Sequence, residues 1–213
     1  MMRCPLCQQH ECPTFGRADG RHYFRCQRCE LTFLHPQQLP AAAAERVHYD
    51  LHENDPDDPA YRAFLDRLAT PLCKRLKPGS EGLDFGCGPG PALATMLAER
   101  SHQIAIYDPL FAPDVSALEK QYDFVTCTEV VEHFHQPAKE FTLLASLVRP
   151  GGMLAIMTGL LHDGIDFHKW HYRRDPTHVC FYRQQTFRWL ARHHGLRVRE
   201  MDHDAIAIMQ RNA

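Results

Sequence analysis

The sequence has no apolar stretch long enough to cross a bilayer. Its longest, MLAIMTGLL over residues 153–161, is interrupted by Thr158 and Gly159, whereas a spanning helix needs about 20 consecutive apolar residues. It also has no excess of either charge: 24 Lys and Arg against 26 Asp and Glu leave a net charge of −2. A broad basic field for a phosphate backbone is thereby excluded. The fifteen histidines would turn that balance positive slightly below neutral pH. The N-terminal MMRCPLCQQHECP lacks the apolar centre of a secretory signal, so no membrane partner is expected and the expected location is the cytoplasm. No internal repeat or extended low-complexity tract is present.

What is present suits a globular protein. Hydrophobic residues make up 44% of 213 positions, enough to bury a core in one medium domain with a small appendage. Cysteines number nine, an odd count. Four form two C-x-x-C pairs, and Cys12, Cys73, Cys87, Cys127 and Cys180 are scattered. Without a secretion signal, that pattern favours reduced thiols and metal ligation over a disulfide framework.

Three regions follow from composition. Residues 1–36 hold the C-x-x-C pairs, and residues 37–60 form a Pro-rich, acidic connector with a short helix expected over 41–49. Residues 61–213 alternate helical and strand-like patterns. Apolar positions 61, 64, 65, 68, 72 and 76 share one helical face. GLDFG, QIAIYD, YDFVTCTEV and MLAIMT read as strands. PALATMLAER, EHFHQPAKEFTLLASLV and QQTFRWLARHHG read as helices, and LRVREMD and AIAIMQR as two closing strands. Strands alternating with long helices predict an α/β, doubly wound, mostly parallel sheet.

Cys4-Pro-Leu-Cys7 and Cys26-Gln-Arg-Cys29 have the spacing of two knuckles that close a tetrahedral Cys4 zinc site. The flanks of the second pair suggest a hairpin. Zinc–thiolate bonds can hold a segment too small for its own core. His10 and Cys12 are competing ligands within reach. A redox role is the alternative, but a redox C-x-x-C opens a helix after a strand, and neither pair does.

GLDFGCGPG places a glycine turn between a strand and a helix, where the backbone must bend and approach a ligand without Cβ atoms. Glycines stand at 86, 88 and 90, and position 91 is proline, which departs from the G-x-G-x-x-G spacing of a dinucleotide site. QIAIYD ends in Asp108, a carboxylate placed to accept hydrogen bonds from both ribose hydroxyls of a nucleoside. Its other reading is a turn residue before Pro109.

LDFGCGPG, IYDP, YDFVTCTEVVEHF and LVRPGGMLAIMT resemble, in order, the successive motifs of class I S-adenosylmethionine-dependent methyltransferases of compact type, over roughly residues 60–200. The resemblance implies a Rossmann-like fold in which Asp84, Gly86, Cys87 and Gly88 cradle the methionyl part of the cofactor. It also implies that Asp108 holds the ribose, that Thr128 and Glu129 line the active-site edge, and that Pro150, Gly151 and Gly152 form a structural turn. Only a short stretch separates Asp108 from Tyr122, where many members have a helix and a third strand. That stretch offers Asp114 for an adenine contact.

Methyl transfer from a sulfonium needs an in-line nucleophile and, for a hydroxyl, a proton acceptor. Glu129, Glu132 and His133 would share one face if a helix begins near Glu129. A similar set, completed by a later histidine, binds a divalent ion in ubiquinone-pathway and small-RNA methyltransferases; here that histidine is His178. Helix capping by the two glutamates is the plainer reading. DFHKWHYRRDPTHVCFY, residues 166–182, follows the fifth strand and so lies over the site. His178 is the leading base and His133 the next, with Tyr49 and His52 of the connector as further contributors. A small-molecule methyl acceptor is expected, its oxygen, nitrogen or carbon being methylated. An RNA or protein acceptor recognised by the ribbon, a non-catalytic cofactor-binding protein, and a nicotinamide oxidoreductase are the rivals.

Overall fold

The computed structural model describes residues 2–50 and 54–213. A six-stranded sheet forms its centre. Its strands are β4 (Glu81–Phe85), β5 (Gln103–Tyr107), β6 (Tyr122–Thr128), β7 (Val148–Met157), β9 (Leu196–Met201) and β10 (Ile206–Arg211), in the order β5-β4-β6-β7-β10-β9. The first four are parallel, and β10 runs antiparallel between β7 and β9. The two closing strands are therefore a hairpin whose second arm inserts into the sheet. The expected doubly wound α/β fold is present.

Alternation along the strands sends side chains to two faces. Phe124, Met153, Ala155 and Met157 pack with Leu65, Leu68 and Leu72 of α2 (Pro59–Cys73) and with Leu93 and Leu97 of α3 (Ala92–Glu99). Val125, Cys127, Leu154 and Ile156 pack the other way. They meet Phe141 and Leu144 of α4 (Pro137–Ser146) and Phe187 and Leu190 of α5 (Gln184–His193). Between β5 and β6 lie only a turn and one 3-10 turn, Val115–Leu118. The strand β5 is thus the sheet edge.

The N-terminal residues form a second sheet. It contains β1 (Thr14–Ala18), β2 (Arg21–Arg25) and β3 (Thr32–Leu34), and its fourth strand is β8 (Cys180–Phe181) from far along the chain. Tyr23 packs edge-on against Phe167 and Phe181, at 4.9 and 5.9 Å between ring centres. The apolar core on the α4–α5 side runs unbroken into this sheet. A short helix, α1 (Ala42–Tyr49), buries none of its residues. No helix among the described residues is long and apolar enough to cross a membrane.

The helix expected over residues 132–148 is shorter. Residues 131–133 make a 3-10 turn, and α4 begins at Pro137. The proline ring disfavours helical geometry in the residue before it, and Gln136 sits at φ −129°, ψ 60°. Pro137 itself is well placed in the first turn, where its missing N–H is not needed.

Candidate active site

A cavity of about 920 Å³ opens at the C-terminal ends of β4, β5 and β6, the edge where open α/β sheets bind ligands. At one end the backbone does most of the shaping. Gly86 has φ 76°, and a Cβ there would lie 2.4 Å from a Val130 methyl. A Cβ on Gly90 would lie 1.9 Å from the Asn54 carbonyl oxygen, so the connector presses on the glycine turn. Both Asp84 and Asp108 line this end. Asp84 accepts a 2.8 Å bond from the Thr126 hydroxyl, and burial pushes its carboxyl up to about 6. Asp108 accepts from the Gly88 N–H at 3.1 Å with one oxygen, and from the Leu110 and Phe111 N–H groups with the other. It thus serves its own turn and faces the cavity at once.

Cys87 and Thr128 complete this end. Burial pushes the Cys87 thiol up to about 12, so it stays protonated. The buried Thr128 hydroxyl oxygen has no hydrogen-bond partner among the described residues; a buried polar atom facing a cavity is a place for a ligand to bond. Asp114 is exposed and caps the 3-10 turn by accepting from the Ser116 N–H. Leu110 and Phe111 line the cavity there instead.

The other end is built by side chains. The expected face of a helix carrying Glu129, Glu132 and His133 does not exist, since Glu129 stands at φ 53° outside any helix. The ligand atoms that come together are those of Glu132, His133 and His178, all within 4.8 Å of one another. Glu129 lines the same cavity without joining that cluster. Glu132 is fully buried and accepts from the Thr158 hydroxyl at 2.9 Å and the Tyr172 hydroxyl at 2.5 Å. His178 Nδ1 lies 2.7 Å from the Tyr172 carbonyl, and His133 Nδ1 lies 3.2 Å from the Thr177 carbonyl. A carbonyl only accepts, so both Nδ1 atoms are donors, and each neutral ring keeps its Nε2 lone pair. Burial lowers the His178 pKa, and the nearby His133 adds to this against the pull of Glu132 and Asp175. Burial, then the charge of Glu132, push Glu129 up to about 9.

The connector closes over this end. Glu45 bonds His135 and His48 bonds Asp175, each at 2.9 Å, and the ring of Tyr49 meets that of His133 edge-on at 5.3 Å. His52 lies outside the described residues. Sequence reasoning did not single out Glu45, Asn54 or the Glu132–Tyr172 bond. Spacing carries no signal for any of them, because each partner comes from a different part of the chain.

Outside the cavity lining, the sulfurs of Cys4, Cys7, Cys26 and Cys29 are buried within 4.8 Å of one another. The Cys4–Cys29 and Cys7–Cys26 pairs stand at 3.6 and 3.3 Å. Bonds from the other thiols favour the Cys26 thiolate and hold Cys4 protonated. Cys12 is buried but directs its thiol at the Gln9 carbonyl, and His10 is exposed. Neither belongs to the quartet.

Residues 52–201 match a family described as a methyltransferase domain. The chain belongs to that family. It is 34% identical over 103 residues to a ubiquinone biosynthesis O-methyltransferase of Aeromonas salmonicida, a match covering 38% of this chain and 43% of that one. A protein of the same description from Stutzerimonas stutzeri is 31% identical over 104 residues, covering 38% and 44%. The matches span less than half the length of these relatives. Among solved structures, the Burkholderia thailandensis 1,6-didemethyltoxoflavin-N1-methyltransferase, with bound 1,6-didemethyltoxoflavin and S-adenosylhomocysteine, superposes with a TM-score of 0.58. It is 14% identical, over 94% of this chain and 99% of that one. An O-methyltransferase family protein from the same organism gives a TM-score of 0.54 at 18% identity, over 83% and 65%. These likenesses establish the Rossmann-like methyltransferase fold.

Proposed function

We propose that this protein transfers the methyl group of S-adenosylmethionine to an oxygen, nitrogen or carbon of a small molecule. The observation that carries the reading is the division of the cavity. One end offers a glycine turn, the Asp108 carboxylate and the unpartnered Thr128 hydroxyl; the other gathers two imidazole Nε2 lone pairs beside a buried carboxylate. The first end fits the cofactor, with Asp84, Gly86, Cys87 and Gly88 about its methionyl part, Asp108 at the ribose, and Thr128 and Glu129 at the reacting edge. The second fits the acceptor.

His178 is the group assigned to take a proton from the acceptor, with His133 beside it. Its Nδ1 is committed to a carbonyl, and its lowered pKa leaves it neutral and able to accept at neutral pH. The same donor set suits a divalent ion. Both rings donate from Nδ1 to backbone oxygens, the arrangement that fixes ligating histidines, and Glu132 is already oriented by Thr158 and Tyr172. Glu132, His133 and His178 would hold the ion, and Glu129 lines the same cavity. Such an ion would lower the pKa of an acceptor hydroxyl. The four-cysteine quartet fits a structural zinc, since tetrahedral thiolate sites bring sulfurs this close. A reducing cytoplasm is the compartment that suits nine free thiols. The division at about residues 36 and 60 into ribbon, connector and methyltransferase domain completes the reading.

Titration of the purified protein with S-adenosylhomocysteine, with metal content measured on the same sample, tests it. Binding in the micromolar range and zinc near one per chain are expected. Folded protein that binds no S-adenosylhomocysteine overturns the cofactor assignment.

A further inference from the structure

Residues 167–181 contain one 3-10 turn and a two-residue strand, yet they bring Tyr172, Asp175 and His178 to the cavity. The N-terminal ribbon holds them from the opposite side. Arg21 donates to the carbonyls of Asp175 and Pro176, at 3.3 and 2.9 Å. The Leu34 N–H donates to the Val179 carbonyl, and the Val179 N–H to the Glu132 carbonyl, both at 2.9 Å. One stretch of backbone therefore joins the ribbon to Glu132.

Arg173 is the centre of this junction. Its side chain is 3% exposed. A buried guanidinium must place its donors or carry an uncompensated charge. Here Nη2 bonds Asp19 of the β1–β2 turn at 2.8 Å and the His168 carbonyl at 3.0 Å, while Nε bonds the Phe167 carbonyl at 3.1 Å. The residue just before it is Tyr172, whose hydroxyl bonds Glu132 and whose carbonyl receives His178 Nδ1. We infer that Arg173 is a positioning residue through which the ribbon fixes the Tyr172 carbonyl, and so the tautomer and direction of His178. The inference rests on the reading of His178 as the acceptor-side group. It gives the ribbon a role in shaping the acceptor end of the cavity. The cofactor end is outside this chain of contacts, because Asp84 and Asp108 bond to Thr126, Gly88 and the residues after β5.

The test compares the full-length protein with Arg173→Gln, Arg173→Lys and Asp19→Asn. Three quantities are read: S-adenosylhomocysteine affinity, amide hydrogen exchange across residues 171–181, and the nitrogen-bound proton of His178 by ¹⁵N NMR. In Arg173→Gln, the His178 Nδ1–H signal should shift or vanish, and exchange over 171–181 should quicken by about tenfold or more. Affinity for S-adenosylhomocysteine should stay within about twofold. Arg173→Lys keeps the charge but not the fork, and should restore part of the protection. An unchanged His178 signal with unchanged exchange in Arg173→Gln overturns the inference. Should that variant unfold, Asp19→Asn, altered at a side chain 74% exposed, decides: faster exchange confined to 171–181 supports it, and no change overturns it. Loss of the His178 signal in Arg173→Gln, in protein whose wild type binds no S-adenosylhomocysteine, would leave the positioning role standing and remove the cofactor reading.

Discussion

The two ends of the cavity are made in different ways. The end proposed for the cofactor is local: Asp84, the glycine turn, Asp108 and Thr128 sit at the ends of three neighbouring parallel strands. Their bonds run mainly to backbone within the same layer. The end proposed for the acceptor is assembled from afar. Glu132 and His133 come after β6, Tyr172 and His178 from the loop after β7, and Glu45 and Tyr49 from α1, with the ribbon behind them. A local site inherits its geometry from the sheet. A composite site is only as firm as the elements that carry its parts, so the same damage should fall unequally on the two.

The largest effect is expected from Cys26→Ser. Structural zinc sites contribute on the order of 10 kcal/mol of binding energy to folding, so this variant should lose its zinc and its N-terminal sheet. Metal analysis and hydrogen exchange would show stoichiometry falling towards zero and protection lost over β1–β3 and β8. Retained zinc would remove the Cys4 assignment. Next is Glu132→Ala, which strips the Tyr172 and Thr158 hydroxyls of their buried acceptor. Unsatisfied buried donors put its cost at about 2–4 kcal/mol of stability, read by urea unfolding. A loss under about 1 kcal/mol would show that the acceptor end is looser than its bonds imply.

Asp108→Ala probes the other end. It should weaken S-adenosylhomocysteine binding by about 1.5–3 kcal/mol through lost charge-assisted bonds, with the acceptor-end histidine signals unmoved. Unaltered affinity in calorimetry would sink the ribose assignment. A pH-dependent effect concerns Glu129. Its folded pKa, about 9, lies above the ordinary carboxyl value of 4.5, so the folded state holds the extra proton between them. The stabilisation is full below the unfolded value and is lost as pH rises through about 9. Glu129→Gln keeps a neutral group at every pH. Near pH 8.5 it should melt above the wild type, and the two should converge towards pH 5. A gap that is the same at both pH values would contradict the raised pKa.

The sequence showed the cofactor end more fully than the acceptor end, for the same reason. The strand–glycine–helix pattern at 82–99 and the strand ending in Asp108 are local signals, and the structure places both on one edge. Glu132, His133 and His178 are legible from a motif, but the helix expected to carry Glu132 and His133 is absent there. Side-chain spacing over 129–136 is compatible with a helix, and the veto of Pro137 on Gln136 outweighs it. The turn expected at Pro150, Gly151 and Gly152 already belongs to β7, with Gly151 at φ 79° bending it. The bonds of Tyr172, Glu45 and Arg173 join residues 40 to 154 positions apart. No local pattern records such pairs; they exist only once the layers have packed.

The pairing of β3 with β8 also orders events in time. Thr32 and Phe181 are partners, so the hairpin near the start of the chain waits for a strand translated much later. At about 5–20 residues per second, ribosomal synthesis separates the two by roughly ten seconds or more. Closing so long a loop is slow compared with forming a hairpin. During that interval the aromatic face of the hairpin, with Tyr23 and Phe33, has neither Phe167 nor Phe181 to cover it. The nascent hairpin therefore keeps an uncovered aromatic face until the segment between β7 and α5 arrives to seal it.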